Sequence, residues 1–419
     1  MGRKSEARNL ILEKFSESTC ELAVFKDTKD AEYVFVDAMQ TLKSCSNNVL
    51  QCWKDLTHAL LNDCRYTSRY FKKVHTFVVC FDDYSRVPLA KSVEQASRSA
   101  NSTRGEGKSA LEGFEIGELS DFIDDGFSSA LHDRHYWCPE LIRYCAKHWA
   151  TDCPPDFLKE GDRLIVDGHY LKYHDIPDVG VHPDAPMVIT KQNGEYVIDF
   201  MDDLEHGLGE GDLSMLYLLD KLVHQNAKVM LYSIDSDLMW YLLRLLEVSD
   251  KFYDVFWRIS PSLSWCASPN PYPQIRDKNK QKWCHINTLK QLIQTHPELR
   301  KLPLEHRVTS LAIACAASGN DYIDPLKGVP SHHFITAFFN NISYIGPLCD
   351  QPLPQVWSIE GSNYNKLVDC AVRQSTMRKR GDYFAPPTTP EPKKMPSLND
   401  QIHHIKEEHH MMFSMNLVI

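Results

Sequence analysis

The residues best suited to chemistry are two acidic pairs. Asp235 and Asp237 follow an apolar run in Val229-Met-Leu-Tyr-Ser-Ile-Asp-Ser-Asp-Leu-Met-Trp240, which reads as a buried strand stopping on the two acids. Glu210 and Asp212, in Gly209-Glu-Gly-Asp212, open an apolar helical pattern a short way upstream. Carboxylates two residues apart at a strand end project to the same side. Four acids gathered at one sheet edge repel one another unless a cation sits among them. Oxygen ligands suit Mg²⁺ or Mn²⁺, and metals clamped in this way are the apparatus of phosphodiester hydrolysis.

The elements that must position these acids alternate between helical and strand patterns. Residues 9–26 and 44–65 read as helices. Ala31–Asp37 reads as a buried strand ending on an acid, and Val74–Phe81 as a second that runs into Asp82 and Asp83. Helices separate the apolar strands, each of which delivers Asp at its carboxyl end. This predicts an α/β fold, a mostly parallel sheet flanked by helices, with the site at the carboxyl ends of the strands. Arg163–Gly168 and Glu195–Phe200 are further strand candidates. Asp167, Asp202 and Asp203 near their ends are set aside from the site.

Residues 84–160 mix basic and Ser-rich sequence, an acidic stretch and an aromatic Cys/His segment, and residues 250–300 are rich in Trp, Pro and Lys. The first stands apart from the strand-and-helix pattern, and the second reads as an insertion with its own helices. From Val308 to Phe339 the pattern is helix, Gly-bearing turn, helix. That is the form of a helix-hairpin-helix, whose backbone amides can hold a DNA phosphate, often through a monovalent ion. The sequence from about Gln374 lacks periodicity and reads as a disordered tail.

At 419 residues and 43% hydrophobic the chain suits two or three structural units with a large core. A net charge of −10 argues against a nucleic-acid coat protein but not against a nuclease, whose metal site is itself acidic. Thirteen cysteines without a Cys-x-x-Cys pair read as buried free thiols in a reducing compartment. Cys138, Cys145, His148 and Cys153 match no standard zinc spacing. No signal-peptide core is read at the N-terminus, and no apolar run approaches the roughly 20 residues that span a bilayer. A soluble intracellular protein, nuclear or cytoplasmic, is expected, with no membrane attachment.

Taken in order, Val-Phe-Val-Asp37, Phe-Asp82, Gly-Glu210-Gly-Asp212, Ile-Asp235-Ser-Asp237 and Ser-Gly-Asn-Asp321-Tyr with Lys327-Gly328-Val-Pro330 resemble the flap endonuclease/XPG superfamily of PIN-like nucleases. The resemblance covers most of residues 31–340, and the 5′–3′ exoribonuclease relatives share the Gly-Glu-Gly-acid block. It implies a PIN-like core over residues 1–305, with residues 84–160 as a helical gateway or cap and 250–300 as an insertion. A helix-hairpin-helix region over 306–373 and the tail, 374–419, would follow.

The resemblance also implies that Asp37, Asp82, Glu210, Asp212, Asp235, Asp237 and Asp321 hold two Mg²⁺ ions, with Mn²⁺ able to substitute. Lys91 and Arg98, seven apart and so on one helix face, resemble the basic pair that contacts the scissile phosphate. Gly319, Lys327 and Gly328 would contact nucleic acid through the hairpin. The implied activity is structure-selective 5′ cleavage of DNA bearing a 5′ flap or branch, as in DNA repair and replication, leaving a 5′-phosphate and a 3′-hydroxyl. The alternatives are a 5′–3′ exoribonuclease or endoribonuclease of the same superfamily and an inactive nucleic-acid-binding or scaffold relative. The hairpin favours DNA, and the filled acid positions weigh against an inactive relative. The chain departs from the family in its long segments between Asp82 and Glu210 and between Asp237 and Asp321, and it carries no convincing sliding-clamp motif. Its oligomeric state is not legible.

Overall fold

The computed structural model describes residues 4–21, 30–39, 73–82, 158–168, 185–233, 235–249, 251, 253–259, 282–319, 329–348 and 363–378. Asp83, Lys91, Arg98, Asp321, Lys327 and Gly328 lie outside them, as do the expected helix over 44–65, residues 84–157 of the expected gateway, and residues 379–419.

The strands are β1 (Thr19–Glu21), β2 (Tyr33–Asp37), β3 (Thr76–Cys80), β4 (Arg163–Asp167), β5 (Met187–Gln192), β6 (Glu195–Phe200), β7 (Lys228–Tyr232), β8 (Asp254–Arg258) and β9 (Lys282–His285). They form one sheet in the order β1-β9-β8-β7-β2-β3-β4-β5-β6. The five central strands, β8 to β4, run parallel. Both margins are antiparallel. The expected α/β class with a parallel sheet centre is therefore present.

The central strands are apolar on both faces, as strands covered on both sides must be. Tyr33, Phe35, Val78, Ile165, Val229 and Leu231 join the main core on one face. Val34, Val36, Phe77, Val79, Leu164 and Val166 are fully buried on the other. The α-helices among the described residues are α1 (Lys4–Lys14), α2 (Gly211–Leu222), α3 (Leu238–Val248), α4 (Ile286–Thr295), α5 (Arg307–Ala316), α6 (Ser331–Asn340), α7 (Ile342–Ile345) and α8 (Asn363–Arg378). The leucines of α2 and α3 belong to the same core as the first strand face.

Three expectations need correction. The helix expected over 9–26 stops at Lys14, because the Ser/Thr run that follows bonds back to its own backbone. Ser18 Oγ donates to the Phe15 carbonyl at 2.7 Å and Thr19 Oγ1 to that of Ser16 at 2.8 Å, and β1 begins there. Residues 250–300 are not merely an insertion: β8 pairs with β7 and β9 with β8, and Tyr253, Val255 and Trp257 are fully buried. The chain also remains helical past Gln374, since α8 runs to Arg378. Leu367 and Ala371 bury against the core, and His333 Nδ1 of α6 lies 2.6 Å from the buried Ser375 Oγ.

The amino ends of the central strands carry a mixed cluster far from the acidic pairs. Glu32 Oε2 lies 2.9 Å from His224 Nε2 and 3.8 Å from His75 Nε2. The His224 pKa is raised, chiefly by the Gln225 carbonyl that accepts from its Nδ1 and then by Glu32. The stabilisation is thus full below the imidazole's ordinary pKa of about 6.5 and fades as pH rises through the raised folded value. The pair is half exposed, so it contributes well under about 1 kcal/mol. Glu32→Gln should lower the urea midpoint more at pH 5.5 than at pH 8.5; an equal loss at both would remove the ion pair from the account.

Candidate functional site

Strand register gathers the first acids. Asp37 is paired with Cys80 and Cys80 with Asp167, so these residues form one row across the carboxyl ends of β2, β3 and β4. Residues opposite one another in register share a face, and adjacent strands lie about 4.8 Å apart, which puts Asp37 and Asp167 roughly 10 Å apart. Cys80 between them belongs to the core face on which α2 packs. Burial pushes its thiol pKa well up, and Asp167, Asp37 and Asp212 push it further in the same direction. One buried thiol therefore reports carboxylates from two strands and a helix.

The turn from β7 to α3 brings the second set. Ser233 is its hub. The Ser233 Oγ donates to Asp37 Oδ2 at 3.0 Å and accepts the Asp235 N–H at 3.2 Å. Its carbonyl accepts from the buried Trp257 Nε1 at 2.6 Å. Asp235 Oδ1 then accepts the Asp237 N–H at 3.0 Å. The sequence pattern suggests that these acids end the strand; the strand ends at Tyr232, and both acids sit on the turn into α3.

A third junction joins β3 to α2. Asp82 Oδ1 accepts the Gly211 N–H at 2.9 Å, so an acid from a distant strand end satisfies the first turn of the helix. A Cβ on Gly211 would lie 3.2 Å from Asp82 Oδ1, the Cys80 carbonyl oxygen and the Phe81 carbonyl carbon. Only glycine allows this close approach without displacing them. Glu210 stands just before Gly211 and Asp212 just after it, with Glu210 buried. Helix capping consumes neither Glu210 nor Asp237, whose side chains make no capping hydrogen bond.

Asp37, Asp82, Glu210, Asp212, Asp235 and Asp237 are thus all placed along one carboxyl edge. Asp321, Lys91, Arg98, Lys327 and Gly328 lie outside the described residues. Gly319, just beyond α5, has φ +106°, a left-handed conformation that favours glycine. Sequence reasoning set Asp167 aside and missed two further neighbours, His206 and Arg8. Asp167 is part of the row, His206 touches it, and Arg8 on α1 feels the Asp235 charge, although burial lowers the Arg8 pKa overall. The signal for Asp167 was available, since Arg163-Leu-Ile-Val-Asp167 has the same apolar-run-then-Asp form as Val34-Phe-Val-Asp37.

Among the described residues, no three His, Cys, Asp or Glu side chains stand close enough together to hold an ion in this conformation. The donors themselves are carboxylates, as a hard divalent cation requires. Asp167 Oδ2 is buried without a hydrogen bond, a costly state for a carboxylate oxygen that a nearby cation would relieve. Comparison with known families finds no matching family model, and comparison with curated proteins finds no significant match. No helix among the described residues is long and apolar enough to cross a membrane.

Ser233→Ala removes the donor to Asp37 and the acceptor for the Asp235 amide. Loss of a hydrogen bond to a charged group costs about 1.5–3 kcal/mol. The urea unfolding midpoint should fall accordingly, and a loss under about 0.5 kcal/mol would show that the turn does not depend on Ser233.

Proposed function

We propose that the chain is a divalent-metal-dependent nuclease of the PIN-like, flap endonuclease/XPG type that hydrolyses phosphodiester bonds in DNA. One observation carries this reading. Acids from four separated stretches of sequence converge on the carboxyl edge of a parallel sheet, joined by the Ser233–Asp37 and Asp82–Gly211 hydrogen bonds. Structural acids do not need to meet there, and their mutual repulsion argues for a cationic occupant.

Glu210, Asp212 and either Asp37 or Asp82 would hold one Mg²⁺, and Asp235 and Asp237, with Asp321, a second; Mn²⁺ could replace either. Such ions would supply acidification of an attacking water and neutralisation of charge on the phosphoryl and leaving oxygens. To hold cations the carboxylates would have to draw closer than their present spacing. The chain's own residues prepare that step: Ser233 orients Asp37, Asp235 orients the amide of Asp237, and the α2 amino terminus orients Asp82. In the same reading Lys91 and Arg98 would contact the scissile phosphate, and Gly319, Lys327 and Gly328 would contact nucleic acid.

Asp235→Asn is a discriminating variant. It removes the charge yet keeps an oxygen for the Asp237 N–H. Cleavage of 5′-labelled flap DNA, nicked duplex, single-stranded DNA and single-stranded RNA would be measured in Mg²⁺ or Mn²⁺. Incision at the flap junction is expected, reduced by at least about 100-fold in the variant with substrate binding retained. RNA-only cleavage would move the protein to the exoribonuclease side of the superfamily. Cleavage of none of these substrates by the wild-type chain would leave the binding or scaffold reading.

A further inference from the structure

Asp167 and His206 form a pair that the six described acids do not include. Asp167 ends β4, and His206 lies in the segment that leads into α2. Their side chains are 2% and 5% exposed, and His206 Nε2 lies 3.3 Å from Asp167 Oδ1. The Leu208 N–H points to His206 Nδ1 at 3.3 Å. That contact makes Nδ1 the acceptor and leaves the ring proton on Nε2, which lies near Asp167 Oδ1 but closes no hydrogen bond to it. The ring packs edge-on to Tyr217 of α2 with centroids 4.8 Å apart, which fixes its plane. Burial raises the Tyr217 pKa, as do the charges of Asp203 and Asp167.

This arrangement leaves Asp167 only half satisfied. Its Oδ1 faces His206, whereas Oδ2 is buried and accepts no hydrogen bond. A buried, unmatched carboxylate oxygen calls for a partner, and an ordered water or a cation would supply one. Its place in the row with Cys80 and Asp37, and the influence it shares with Asp37 and Asp212 on the Cys80 thiol, put it on the same face as the other acids. His206 Nε2 stands at ion-pair distance from Oδ1 without closing a hydrogen bond, and the second oxygen is left over, so a cation could bind the carboxylate with the imidazole as its outer neighbour.

We propose that Asp167 is a further carboxylate holding the divalent cation, and that His206 is the positioning residue that fixes its orientation. This rests on reading the acid edge as a cation site. It also gives the segment before α2 a role, because His206 ties the approach to Glu210 onto the end of β4.

The test is Mn²⁺ binding to the full chain, without substrate, followed by the electron paramagnetic resonance signal of the free ion. The metal-free thermal midpoint is measured alongside. Asp167→Asn should weaken Mn²⁺ binding at least about tenfold, within the range seen when a metal's surroundings are altered. Its metal-free midpoint should stay level or rise, because a buried, half-satisfied charge has been removed. A merely structural Asp167 gives the opposite pattern: a lower midpoint with unchanged Mn²⁺ affinity, which overturns the proposal. His206→Leu should weaken binding several-fold, and His206→Gln, which keeps an N–H for Asp167, should restore much of it. If Asp167→Asn does not fold, Asp167→Glu carries the test. It keeps the charge but moves the oxygens by a methylene, and unchanged affinity in that folded variant also overturns the assignment. A wild-type chain that binds no Mn²⁺ removes the cation-site reading and this inference together. Binding by the wild type with equal binding by Asp167→Asn removes this inference alone.

Discussion

Mutual repulsion among carboxylates is the constraint around which this molecule is arranged. Two unit charges roughly 10 Å apart, at an effective dielectric of about 20, repel by roughly 1.7 kcal/mol. Several such pairs compete with the sheet pairing that creates them. The opposing force is burial. Each fully buried Val, Leu or Phe of the central strands contributes about 1.5–3 kcal/mol, and those strands are apolar on both faces. The core therefore holds the acids in register against their own field. Placing them at the carboxyl ends leaves the middles of the five central strands free of charge.

The polar contacts near the edge are specific where the core is not. Ser233 serves Asp37, the Asp235 amide and Trp257 at once, so one hydroxyl and one carbonyl tie β2, β7 and β8 together. Gly211 does the same for β3 and α2 by lacking a Cβ. Each junction joins elements far apart in sequence, and each brings an acid with it. Precision at the edge thus comes from a few short contacts superimposed on a rigid apolar frame. The amino-end cluster of Glu32, His75 and His224 contrasts with it, being half exposed and weakly held.

The legible part of the site was the part carried by local pattern. An unbroken apolar run followed by Asp marks a strand buried on both sides with an acid at its carboxyl end, and Asp37, Asp82, Asp235 and Asp237 follow such runs. Asp167 ends a run of the same form and was set aside, because register alone puts it in the row with Asp37. β5 was missed although its turn was written in Asn193-Gly194, both of which have positive φ as a tight primed hairpin turn requires. β8 and β9 were masked by the Pro- and Trp-rich composition around them, and only pairing with β7 shows that they complete the sheet.

The sequence by itself determined the α/β class, the buried character of the central strands and the identity of the acids, because each depends on residue type and short-range periodicity. Tertiary structure alone decided which acids share a face. Register sets Asp37, Cys80 and Asp167 in one row. A contact between residues 129 positions apart places Asp82 on Gly211, and one 196 apart places Ser233 on Asp37. Strand order and register follow from the packing of whole elements, and no window of sequence contains them.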